Sequence, residues 1–85
     1  MTRFQQFLDK RNIPSAQVEA KLRERLKGSA PGRRKMARIR LGRTDPVRRD
    51  MVYILWAVRE VADDPSVQME DLFNLDANDP ANWPE

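Results

Sequence analysis

The chain contains no cysteine and no histidine. It can form no disulfide, and it lacks the thiolate and imidazole groups that most zinc sites use. A nucleophilic cysteine and the usual general base near neutral pH are missing for the same reason. The carboxylates do not pair inside an apolar run where burial would raise a pKa. Its three glycines, at 28, 32 and 42, stand apart and do not form a phosphate-binding loop. No apolar run approaches the ~20 residues needed to span a bilayer. The opening Met-Thr-Arg-Phe-Gln-Gln has none of the apolar core of a signal peptide. Catalysis, a metal, a cofactor and membrane insertion are therefore not expected, and the expected location is the cytoplasm, at the nucleoid in a bacterial source.

The most informative scarcity is of positive charge in the C-terminal third, where no lysine or arginine follows Arg59. Residues 1–59 hold all 16 basic residues against five acids, a charge of +11, and residues 60–85 hold eight acids and no base, a charge of −8. The net +3 conceals this division. The positive charge also has a focus. Arg33, Arg34, Lys35, Arg38, Arg40, Arg43, Arg48 and Arg49 fall within 17 residues, opposed there only by Asp45. Such a field on a folded scaffold attracts a polyanion, and nucleic acid is the commonest one. Eighty-five residues make one small domain with a modest core.

Hydrophobic spacing predicts helices throughout. Phe4, Phe7 and Leu8 share a face over residues 3–11, with Thr2 as a cap. Pro14 breaks the chain, and Ser15 begins a second helix with the stripe Val18, Leu22 and Leu26, expected to end at Gly28. After a loop at 29–32, a third helix starts at Arg33, directs Met36, Ile39 and Leu41 inward and stops at Gly42. Asp45 and Pro46 are read as the cap and first turn of a fourth helix. Its stripe is Met51, Ile54, Leu55, Val58 and Val61, and it runs to about Ala62. A short fifth helix over 67–74 is expected to bury Met69, Leu72 and Phe73. The prediction is an all-α domain over 1–74 with an acidic, flexible tail over 75–85.

The third helix carries the chemistry. Met36 and Ile39 anchor it, and Arg33, Arg34, Lys35, Arg38 and Arg40 occupy the remaining arc. An α-helix fits the B-DNA major groove, where arginine reaches guanine O6 and N7 in bidentate fashion. Arg43, Arg48 and Arg49 follow across a turn and are suited to phosphates, helped by the amides at a helix start.

The segment Met36-Ala37-Arg38-Ile39-Arg40-Leu41-Gly42-Arg43-Thr44-Asp45-Pro46 resembles the recognition-helix end of lambda-repressor-like helix-turn-helix domains of the Cro/XRE group. Pro46, Met51, Ile54, Ala57 and Val58 follow that family's helix 4 spacing. Val67-Gln68-Met69-Glu70-Asp71-Leu72-Phe73 is similar to its helix 5 signature, and Ile13, Val18 and Leu22 to its helix 2 pattern. Together these cover about residues 4 to 74. The chain departs from the family at Leu41, where a second polar residue is usual, and by insertions at 23–30 and 59–66.

The resemblance implies a five-helix domain with a variant helix-turn-helix, its recognition helix at about 33–41 in the major groove. It also implies a homodimer on a palindromic duplex operator, and a transcriptional regulator of bacterial, phage or mobile-element origin. Repression by promoter occlusion is the simplest mechanism. Ser15 and Gln17, at the start of the second helix, become candidate phosphate contacts.

Val52 and Trp56, four apart, form a second apolar face on the fourth helix. With Phe73 they are the expected dimer interface. Two other function classes compete. RNA readers usually stack unpaired bases on aromatics, yet no aromatic lies between residues 8 and 52. A protein-interaction regulator, such as an antitoxin, would use the basic face, the Trp56 face or the acidic tail, with Trp83 in the tail docking on the Trp56 face.

Overall fold

The computed structural model of the chain describes residues 2–44 and 46–73. The expected cap at Asp45 and the acidic tail with Trp83 lie outside the described residues. The architecture is all-α: α1 (Arg3–Arg11), α2 (Ser15–Leu26), α3 (Arg33–Arg40), α4 (Arg48–Ala62) and α5 (Met69–Leu72), with a 3-10 turn at Lys27–Ser29 between α2 and α3. Among the described residues there is no strand.

Local chemistry sets the boundaries. Thr2 caps α1: its Oγ1 accepts from the Gln5 amide at 3.0 Å, and its hydroxyl donates to the Arg40 carbonyl at the far end of α3. Asn12 and Asp63 end α1 and α4 in the left-handed region, at φ 55° and 52°, which short polar side chains tolerate better than most. Gly42 takes φ +76° just beyond α3, as the expected stop requires.

The core is one cluster that every α-helix enters. Phe4 and Leu8 come from α1, Val18 and Leu22 from α2, Met36 and Ile39 from α3, and Met51, Ile54, Ala57 and Val58 from α4, with Val67, Leu72 and Phe73 at the C-terminal end. α2 packs along α4, and α1 packs against α5. There the Phe4 and Phe73 rings meet at 5.9 Å. Two arginines tie α1 to residues 64–70, Arg3 donating to the Glu70 carbonyl at 2.9 Å and Arg11 pairing with Asp64 at 3.1 Å, and Arg59 of α4 donates to the Val67 carbonyl at 2.8 Å.

Five details differ from the sequence reading. Leu41 is 57% exposed, because α3 ends at Arg40 and the chain turns away before reaching the core. The end of α2 falls on Lys27, at φ 51° and ψ −122°, with its amide donating to the Arg23 carbonyl; Gly28 is not the stop. α4 begins at Arg48, since Val47 remains extended and its carbonyl accepts the first helical bond from Met51. On α4 Leu55 and Val61 are only half-buried, while Ala57, which the helix 4 spacing of the resemblance includes, is fully buried. α5 is a single turn, held by a capping box between Gln68 and Asp71, and Val67 is buried ahead of it.

Candidate nucleic-acid interface

α3 has its apolar residues three apart, so Met36 and Ile39 fall on one side and enter the core. The other positions are left facing outward. Arg33, Arg34 and Arg38 are exposed on α3, and Arg43 is exposed just after it. No described residue bonds or pairs with these four side chains. Three guanidinium groups thus stand on the outward side of α3 and a fourth just beyond it, none of them in an ion pair with a described residue.

The remaining cations of the stretch are engaged. Arg40 is half-buried, and its Nη1 donates to Gln5 Oε1 at 2.7 Å. Its Nε is buried with no hydrogen-bond partner among the described residues. Arg40 therefore fastens the end of α3 to α1. Lys35 places Nζ 2.9 Å from Asp50 Oδ2, and Arg49 places Nη1 3.9 Å from Asp50 Oδ1. Arg48 is half-buried at the start of α4.

Ser15 and Gln17 separate. Ser15 lines a groove between the start of α2 and α3, together with Ala16, Glu19, Arg33, Arg34, Ala37 and Arg40. Neither Pro14 before α2 nor Gly32 before α3 supplies a side-chain cap. The Gln17 amide bonds to the Pro14 carbonyl at 3.0 Å, and the first two amides of each helix are left without a side-chain cap next to three arginines. Gln17 lies in a different groove, with Arg11, Asn12, Ile13, Pro14, Val61 and Ala62. The structure thus joins Ser15 to the basic arc and leaves Gln17 out of it.

Two acids belong to the site that the residue pattern did not announce. Glu19 is 7% exposed on the groove-lining side of α2. Its place next to Val18 and three residues before Leu22 was a visible sign of the inward face. Asp50 is 2% exposed and bridges α3 to α4. Its partner Lys35 is 15 positions away on another helix, so only the tertiary fold brings the two together.

The expected dimer surface also changes. Phe73 is only 7% exposed and packs on Phe4, so it serves the chain's own core and offers no face to a second copy. Val52 remains 47% exposed. Trp56 is half-buried beneath Arg25, whose guanidinium lies 4.6 Å from its ring centre and 5.4 Å from that of Tyr53. Arg49 covers Tyr53 as well, at 5.4 Å. The aromatic face of α4 is thus capped by cations.

No known protein family, curated protein or solved structure matches this chain. Among the described residues, no helix is long and apolar enough to cross a membrane.

Proposed function

We propose that the chain binds duplex DNA sequence-specifically as a transcriptional regulator, with α3 in the major groove and repression by promoter occlusion as its simplest action. The observation that carries this reading is the arc of Arg33, Arg34, Arg38 and Arg43, exposed and without counter-ions among the described residues. On most protein surfaces, charges of both signs are interspersed. A guanidinium cluster that forms no ion pair with a described residue, on a helix anchored by two apolar residues, fits a polyanion with a groove of helix width. The groove at Ser15, where two uncapped helix starts meet Arg33 and Arg34, supplies donors for a backbone phosphate.

The likeness to lambda-repressor-like domains supports the same reading through the same helix. The lengthened passage at 27–32 and the half-buried Arg40 alter which residues lie nearest the groove. Arg33, Arg34 and Arg38 are assigned to base edges, and Arg43 to the backbone. RNA binding is less favoured, because the α4 aromatics Tyr53 and Trp56 are already covered by Arg25 and Arg49.

The test is selection of bound sites from random duplexes, followed by titration of variants on the selected and a scrambled duplex. Arg34→Ala or Arg38→Ala should cost about 1–3 kcal/mol on the selected site and relax preference at particular base positions. Arg43→Ala should weaken both duplexes alike and flatten the salt slope by about one unit. With up to four arginines neutralising DNA charge, log affinity should fall against log salt with a slope of roughly −3 to −4 per subunit. A slope near zero would remove this reading.

A further inference from the structure

One acid sits beneath the basic surface and belongs to the scaffold. Asp50 is the third residue of α4 and is 2% exposed. From α3, Lys35 places its ammonium 2.9 Å from Asp50 Oδ2, an ion pair without an aligned hydrogen bond, and Arg49 approaches the other oxygen at 3.9 Å from the same turn of α4. Arg49 is further held by the Tyr53 ring. Two of the eight cations in the basic stretch are thus partly neutralised from below, and both keep about half of their side chains exposed.

A carboxylate in the first turn of a helix has an ordinary structural use, because it meets the positive end of the helix dipole. α4 has a vacancy for that use, since Val47 supplies no side-chain cap. The dipole does not account for Lys35, however, which crosses from the helix carrying the exposed arginines.

We propose that Asp50 limits the sequence-independent grip of this surface on DNA. It holds Lys35 and Arg49 against the scaffold and away from phosphates, so that α3 meets DNA chiefly through Arg33, Arg34 and Arg38. Phosphate contacts raise affinity for every sequence equally, whereas base contacts alone distinguish sequences. Withholding two phosphate contacts therefore lowers affinity for right and wrong sites alike, and leaves discrimination between them to base readout. The same bridge fixes α3 against α4, and hence the direction in which its arginines project. This inference rests on the DNA-binding reading above.

The experiment measures salt slopes on selected and scrambled duplexes for the unmodified protein, Asp50→Asn, Lys35→Gln and the double variant. Asn keeps the size of the side chain and removes its charge. Asp50→Asn should steepen the scrambled-duplex slope by about one to two units. Between 50 and 200 mM salt, each released contact then adds about a threefold loss of affinity. Affinity at low salt should rise by about three- to tenfold on both duplexes alike, with the slope change identifying released cations as the cause. Lys35→Gln alone should leave the slope within about half a unit, whereas in the Asp50→Asn background it should remove about one unit.

A purely structural Asp50 would give weaker binding to both duplexes at an unchanged slope, and that result overturns the proposal. If Asp50→Asn fails to fold, Lys35→Gln alone decides: loss of a full unit of slope would show that Lys35 already sits on a phosphate. An unmodified protein with no salt slope would overturn the DNA-binding reading itself. A clear slope that Asp50→Asn leaves unaltered overturns only the role of Asp50.

Discussion

At the scale of single residues, charged side chains in this chain divide into those that build the fold and those left outward. Asp64 is a builder. It accepts from the Ser66 hydroxyl at 2.6 Å, from the Ser66 amide at 3.0 Å and from Arg11 at 3.1 Å. These contacts, the Ser66 hydroxyl first, hold its carboxyl below the ordinary aspartate value. A depressed folded value means that the contribution to stability is present at neutral pH. It is lost as the pH falls from about 4 through the lowered value. Ser66→Ala should move the Asp64 titration, followed by carboxyl NMR, back toward the usual range; an unmoved titration would exclude the hydroxyl as the main cause. Arg25 is a second builder, stacked between Tyr53 and Trp56. Arg25→Ala should cost about 0.5–1 kcal/mol in urea unfolding.

At the scale of elements, the helix ends hold the most testable chemistry. Lys27 adopts φ 51° and ψ −122°, a region costly for any residue with a Cβ. The hydrogen bonds of the last turn of α2 and of the following 3-10 turn impose it, as the Lys27 amide reaches Arg23 and the Ala30 amide reaches Lys27. Lys27→Gly should therefore raise stability by about 1 kcal/mol, after allowing for the entropy that glycine loses on folding. At Gly42 the same reasoning runs the other way. Its φ is +76°, and an added Cβ would come 3.1 Å from the Thr2 methyl. That methyl belongs to the residue that caps α1 and holds the Arg40 carbonyl. Gly42→Ala should cost about 1–3 kcal/mol in unfolding experiments, and part of that loss should appear as fraying of α1. A neutral result at Gly42 would mean that the α3–α4 turn is not pinned by Thr2.

At the scale of the whole molecule, the proposed regulator would act as a pair of chains, because a two-fold site in duplex DNA presents two half-sites about 34 Å apart. Phe73 is committed to the core, so the surface for a second copy narrows to α4 around the exposed Val52. Val52→Lys should leave the melting curve nearly unchanged and shift sedimentation toward monomer. Wild-type protein that is monomeric both alone and on DNA would exclude the pair.

Some of this was settled by local chemistry and is legible in the chain alone. α1 occupies the residues its periodicity indicates, because Thr2, the Phe4/Leu8 spacing and Pro14 act within one turn of their targets. The anchors Met36 and Ile39, and the arginines around them, follow from helical geometry in the same way. The absence of histidine and cysteine narrowed the chemistry before any fold was considered. What depended on distant partners was not legible. Whether Lys35 is a DNA contact or a scaffold cation turns on a buried acid 15 residues away on another helix. Whether Phe73 faces a second copy or its own core turns on Phe4, at the opposite end of the described chain. Ser15 and Gln17 are two residues apart, yet one lines the groove beside α3 and the other faces away from it. Period and capping determine which residues point outward from a helix. Only the packing of helices against one another decides which of those outward residues meet.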